Sequence, residues 1–282
     1  MPPVGEESFR FFGLERDPFA PTADPAFFYF TLEFERCLFG LKKSIDSQYG
    51  IVLIFGHYGT GKTSLMRHLF YHIARRTHLY NTAVLGSPNP DWSSYALMEE
   101  ICQQFRVPVS RPTLNAYQHA LNQFLSNNRS RINTLIIDDA QNLDRREHLE
   151  MLRLLQNIET PEHKLLNLVL FAQMELIPVV KAQPNFEQRV NSAYVLNPLT
   201  HEDTVNMIRF RLQKAGRDPS RESLFDEESL STIYESSQGI PREVVTICRN
   251  SMVLAKRIGQ AKIQNSIVLY AINNLTVKGL VG

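Results

Sequence analysis

Gly56-His57-Tyr58-Gly59-Thr60-Gly61-Lys62-Thr63 fits the pattern GxxxxGK[ST], which occurs once in the chain. Such an arrangement can grip a row of phosphates. Glycines let the backbone curl so that successive N–H groups point inward at phosphate oxygens. A helix beginning near Lys62 adds the positive end of its dipole. Lys62 is expected to reach the β and γ phosphates of ATP, and the Thr63 hydroxyl to ligand Mg²⁺. Gly56 through Thr63, with Ser64 beyond them, form the expected nucleotide-binding set. The bland alternative is a glycine-rich turn without a ligand, which would not require strand, lysine, hydroxyl and helix together.

The run Leu135-Ile136-Ile137-Asp138-Asp139 supplies the partner element. A carboxylate at the end of an apolar strand is costly unless something compensates it, and Mg²⁺ would do so. Asp138 is therefore expected in the Mg²⁺ shell. Asp139 is placed to orient or deprotonate the attacking water. Its alternative role is a helix N-terminal charge, because Ala140-Gln141-Asn142 leads into the next helix.

These residues need a scaffold, and the hydrophobic pattern outlines one. IVLIF (51–55), TAVLG (82–86), TLIID (134–138) and LLNLVLFA (165–172) read as buried strands. Helical spacing covers 31–48, 64–76, 95–105, 114–125 and 147–157. Strands alternating with helices imply an α/β fold, a parallel sheet covered on both faces. After Pro198 no strand pattern remains, and helices are expected around 201–215, 226–237, 241–257 and 263–275. Residues 1–30 are rich in Phe and Pro. Their X-Pro breaks at Pro18, Pro21 and Pro25 exclude a continuous helix, so a strap over the body of the domain is expected. The expected division is a strap at 1–30, a nucleotide-binding domain at 31–198 and a helical domain at 199–282.

Composition narrows the class. Apolar residues at 43% and charged residues at 21% argue against disorder. A net charge of +1 leaves any polyanion-binding surface to a local patch. Cys37, Cys102 and Cys248 lie far apart without metal spacing and read as buried small hydrophobes. The N-terminal stretch carries acids where a signal peptide carries bases. No apolar run approaches the roughly 20 residues of a membrane span. A cytoplasmic location is expected.

With the two motifs located, the chain resembles the AAA+ ATPases of the ExeA (general secretion pathway protein A) family, similar to transposition regulators of the TnsC/MuB type. The matching stretches run almost end to end: FFGLERDPFAPTADPAFFY, GTGKTSLMRHL, LIIDDAQNL, LRLLQNIETPEHKLLNLVLFAQMEL and QGIPREV. The resemblance implies a three-layer αβα P-loop sandwich followed by a small all-α lid. It also implies that Gln173 is sensor 1, that Arg189 is an arginine finger offered to a neighbouring subunit, and that Arg242 is sensor 2. The alternatives are a surface ion pair for Arg189 and a helix-start position for Arg242. Two departures accompany the match. The family usually reads Asp-Glu-Ala-Gln where this chain has Asp138-Asp139-Ala140-Gln141, and the shorter acid suits slow hydrolysis. Family members that act in secretion continue into a membrane span and a wall-binding region, and this chain ends at Gly282.

Three roles follow as expectations. The leading one is a regulator that self-assembles with ATP, as a ring or filament, on double-stranded DNA and recruits a transposase-type partner. The second is an assembly ATPase for a secretion or pilus system, and the third a nucleotide switch with protein partners only. Residues 241–282 hold six basic residues (Arg242, Arg249, Lys256, Arg257, Lys262, Lys278) against one acid, and Arg75, Arg76 and His78 form another cluster. Either could meet DNA phosphates or be a solvated face.

Overall fold

The computed structural model describes residues 8–278 apart from residue 23. The acids of the first seven positions, the Lys278 side chain and Gly282 lie outside the described residues. The chain forms two compact units. One, the sheet unit, comprises 32–58 and 62–196; the other, the helical unit, comprises residues through Thr31, Gly59–Gly61, and Asn197 onward.

The sheet unit is built on β1 (Ile51–Gly56), β2 (Tyr80–Leu85), β3 (Ile132–Ile137), β4 (Asn167–Ala172) and β5 (Val190–Leu196). They lie in the order β2-β3-β4-β1-β5, every pair parallel. Parallel strands need crossovers, and helices supply them. The helices of this unit are α2 (Leu32–Asp46), α3 (Lys62–Ala74), α4 (Ser94–Gln104), α5 (Leu114–Asn127), α6 (Arg146–Leu155), α7 (Leu176–Lys181) and α8 (Pro184–Glu187). They follow α1 (Ser8–Phe11), which belongs to the helical unit. Ile51, Leu53 and Phe55 of β1 join α4, α5 and α6 in one core, while the alternate Val52 and Ile54 are equally buried on the other face. Both faces are therefore covered, and the central strands read as continuous apolar runs.

Four strands match their sequence-based positions to within two residues. The fifth, β5, is a correction. Its residues alternate between half-buried and exposed up to the buried Leu196, because it is an edge strand with only β1 beside it. VNSAYVL therefore lacks the apolar run that marks β1, β3 and β4. The short α7 and α8 likewise lie outside the helices that the spacing predicts.

The helical unit holds α9 (His201–Lys214), α10 (Glu227–Ser237), α11 (Pro241–Arg257) and α12 (Asn265–Lys278). Thr200 caps α9 by accepting from the Asp203 N–H at 3.0 Å, and Asp226 caps α10 through the Ser229 N–H at 2.7 Å. Pro241 opens α11, where its missing N–H costs nothing. The N-terminal aromatic segment packs within this unit. Phe12, Leu14, Phe19 and Phe27 share a core with residues of α9, α10 and α11. Arg211 of α9 fixes the segment by donating from Nε to the Pro18 carbonyl at 2.7 Å and from Nη1 to that of Phe27 at 3.1 Å. No described helix is long and apolar enough to cross a membrane.

Candidate nucleotide site

β1 carries the chain, fully buried, to Gly56, where the phosphate loop begins. Gly59 (φ +83) and Gly61 (φ +99) take the left-handed conformation that glycine adopts without strain. Gly59 is constrained by space as well. A Cβ there would stand 2.8 Å from Ile240 Cγ2 and 3.0 Å from Arg242 Cβ, all within the helical unit. The Arg242 N–H also donates to the Gly59 carbonyl, at 3.4 Å. Arg242 thus stands beside the glycine of the loop, one residue into α11.

Lys62 opens α3 and is only 7% exposed. Its Nζ donates to the carbonyls of Gly56 at 2.7 Å and His57 at 2.9 Å, so the head group is held back over the loop. Burial lowers its pKa, while the negative charges of Asp138, Asp139 and Glu175 work the other way. Thr60 is buried, Ser64 half-buried, and His57, Tyr58 and Thr63 exposed.

Asp138 lies one residue past β3 and is 4% exposed. Its N–H donates to the Leu85 carbonyl at 2.9 Å, extending the ladder to β2. Burial holds its carboxyl above the usual carboxylate range; a hydrogen bond from Thr63 opposes that, and the charge of Asp139 adds to it. Thr63 and Asp138 are therefore brought together. One hydroxyl and one buried carboxylate fit a magnesium ion, which takes few protein ligands and leans on substrate phosphates and water for the rest. Among the described residues no group of three or more His, Cys, Asp or Glu side chains could hold a metal on its own.

Asp139 is left-handed, with φ 50 and ψ 40, at the entry to a short 3-10 turn, Ala140–Asn142. Its side chain makes no capping bond there. Instead the carboxylate accepts from Gln141 Nε2 at 3.0 Å. Gln173 is the first residue past β4, and its N–H donates to Gln141 Oε1 at 3.1 Å. Asp138, Asp139 and Gln173 thus gather where β3 and β4 end, the same edge at which β1 enters the phosphate loop.

Arg189 is not brought to that edge. It directly precedes β5, whose first residue pairs with Ile51 at the start of β1, whereas Leu196 pairs with Gly56. Five strand steps, roughly 16 Å, separate those two levels of the sheet. Glu159 lies near Arg189: its carboxyl is held below the usual range by Lys164 first, with Arg189 a smaller influence. Two residues near the site have no role assigned by the sequence pattern, although Gln141 stands in the Asp138-Asp139-Ala140-Gln141 run. Glu175 acts on Lys62 by charge, and Gln141 joins Asp139 to Gln173. Each depends on the ends of separate strands meeting, which no local pattern announces.

Comparison with known proteins places this geometry. Residues 45–180 match the AAA domain family. General secretion pathway protein A of Aeromonas hydrophila is 32% identical over 96% of this chain and 49% of its own length, so the chain spans about half of that relative. In fold, the ORC2 protein of Aeropyrum pernix matches 86% of this chain and 66% of its own with a TM-score of 0.62 at 17% identity. The ORC1 protein of the same organism, solved in complex with DNA, matches 86% and 64% with a TM-score of 0.62 at 19% identity. With its phosphate loop set between β1 and α3 of a parallel five-stranded sheet, the chain carries an AAA domain over residues 45–180 and is similar to general secretion pathway protein A.

Proposed function

We propose that the chain binds ATP on residues 56–64 and hydrolyses it slowly, using the bound state to control its own assembly. The observation that carries this reading is the meeting of Thr63 with Asp138 beside the loop-held Lys62. Lys62 takes the β and γ phosphates, and Thr63 and Asp138 hold the magnesium ion. That ion, when bound, offsets the charge of the phosphate oxygens. Asp139 orients the attacking water and accepts its proton. Gln173 senses the γ-phosphate, Arg242 reads the nucleotide as sensor 2, and Arg189, remote from its own chain's loop, serves a neighbouring copy. Asp139→Asn should then retain nucleotide while hydrolysis slows, whereas unchanged turnover would leave Asp139 a merely structural role.

The ATP-bound assembly forms, in this reading, on double-stranded DNA and recruits a transposase-type partner. Support comes from basic residues gathered where β2 and β3 begin. Arg75 and Arg76 precede β2, Arg129 and Arg131 precede β3, and Lys42 and Lys43 lie late in α2. The Ile132 N–H donates to the Leu79 carbonyl at 2.8 Å, setting the first two groups side by side. Asp46, the acid at the end of α2, is engaged by the Tyr80 hydroxyl at 2.5 Å. If about six phosphates are contacted, log affinity should fall with log salt at a slope of roughly −5. Fluorescence anisotropy with duplex DNA and a non-hydrolysable ATP analogue tests this, and no binding at low salt removes the DNA reading.

A second reading, an assembly ATPase of a secretion or pilus system, is favoured by the 32% identity to general secretion pathway protein A. It predicts a protein partner at the membrane that co-purifies with the ATP-bound form. A switch acting on protein partners alone would give nucleotide-dependent oligomers indifferent to DNA.

A further inference from the structure

At the exit of β3 the Gln141 side chain bonds two residues of the proposed site. Asp139 turns the chain left-handed, and the 3-10 turn that follows brings Gln141 back across it. Gln141 Nε2 donates to Asp139 Oδ1 at 3.0 Å, and Gln141 Oε1 accepts from the Gln173 N–H at 3.1 Å. The two partners fix the orientation of the carboxamide, since a carboxylate only accepts and a backbone N–H only donates. The same 3-10 turn is itself anchored: Asn142 Nδ2 donates to the Pro88 carbonyl at 2.9 Å, and Ala140 is buried.

A carboxylate that must meet a water has to be held in one place, and aspartate has one methylene fewer with which to reach. We propose that Gln141 is a positioning residue for ATP hydrolysis: its carboxamide sets the Asp139 carboxylate against the attacking water and ties that setting to the backbone at Gln173. This rests on the reading of Asp139 as the group that takes the water's proton. In the step it serves, the water oxygen bonds to the γ phosphorus and the bond from that phosphorus to the β–γ bridging oxygen breaks. The water's proton passes to Asp139 and ADP leaves with the bridging oxygen. With Oδ1 engaged by Gln141, Oδ2 is the atom that takes the proton.

Gln141→Glu tests this, because it keeps the shape of the side chain but turns a donor toward Asp139 into a like charge. ATP turnover and nucleotide affinity are measured on the full chain for wild type, Gln141→Glu, Gln141→Asn, Asp139→Asn and the Gln141→Glu/Asp139→Asn double variant. The expected kcat of Gln141→Glu is lower by about tenfold or more, with KM and nucleotide affinity within about twofold of wild type. The double variant should be no slower than Asp139→Asn alone, since the glutamine acts through the aspartate. Wild-type kcat in both Gln141→Glu and Gln141→Asn, beside a slow Asp139→Asn, overturns the role of Gln141 and leaves that of Asp139 standing. So does an equal loss in the presence and absence of the Asp139 carboxylate, the pattern of a structural defect. Wild-type turnover in Asp139→Asn would instead bring down the reading of Asp139, and this proposal with it.

Discussion

The Thr63 hydroxyl, in the first turn of α3, hydrogen-bonds the Asp138 carboxylate just past the end of β3. A buried acid held above its ordinary pKa is a stability cost wherever it must be ionised, so the fold alone does not account for it. Asp138→Asn should therefore leave the nucleotide-free protein as stable as wild type, or more so, near pH 7. That advantage should vanish at acid pH below the ordinary carboxylate range, where Asp138 is protonated both folded and unfolded. The same variant should lose most of the gain in ATP affinity that magnesium gives the wild type, while the two bind ATP alike in EDTA. Calorimetric titrations with and without magnesium, with thermal melts across pH, check both halves. Equal magnesium dependence in the two proteins would contradict the role given to Asp138.

Gly59 has neither the backbone angle nor the room for a side chain. Its φ of +83 costs an alanine roughly 1–2 kcal/mol, before any displacement of Ile240 and Arg242. Gly59→Ala should lower the denaturation midpoint modestly and weaken ATP binding far more, because the loop's N–H groups lose their inward curl. Chemical denaturation beside nucleotide titration separates the two effects, and an alanine variant that binds ATP like wild type would mean the loop tolerates another shape.

Arg211 concerns the helical unit. Arg211→Ala leaves the carbonyls of Pro18 and Phe27 without these donors and removes a guanidinium 5.5 Å from the Phe27 ring. A loss of about 2–3 kcal/mol is expected, with new proteolytic cleavage within residues 12–30. Wild-type resistance to limited proteolysis would show that the aromatic contacts hold the segment unaided.

The three cysteines are buried, and burial pushes the thiols of Cys37 and Cys102 up to about 12 and raises that of Cys248 as well. Because the thiolate is the reactive form, the native protein should react with a thiol reagent at pH 8 only as fast as it opens. Labelling should become complete in guanidinium. Rapid labelling of the folded protein would mark at least one of these sites as open.

Much of the site was legible because its parts are local. IVLIF followed by a glycine-rich loop and a lysine needs no distant residue to be recognised, and Asp138 announces itself by ending an apolar run. What was not legible depends on contacts made across the fold. β5 carries no apolar run because an edge strand needs only half of its residues to be apolar. The Phe- and Pro-rich composition predicts a strap over the domain body, yet Phe12, Phe19 and Phe27 complete the core of the helical unit, some 180 residues further along the chain. Nothing in the spacing of Asp139, Gln141 and Gln173 says that three side-chain and backbone groups will meet where two strands end. The level of Arg189 on the sheet is fixed by the register of β5 with β1, which only the paired strands reveal.

The most direct test is equilibrium dialysis of ATP in the presence of magnesium, run on the wild-type chain and on Lys62→Ala. Lys62 Nζ is carried over the loop by the carbonyls of Gly56 and His57, so its removal should empty the phosphate site without unfolding the sheet. Retention of adenine nucleotide by the wild type and its loss in the folded variant is the expected result. Equal retention by both, or none by either, would contradict a triphosphate held at this loop.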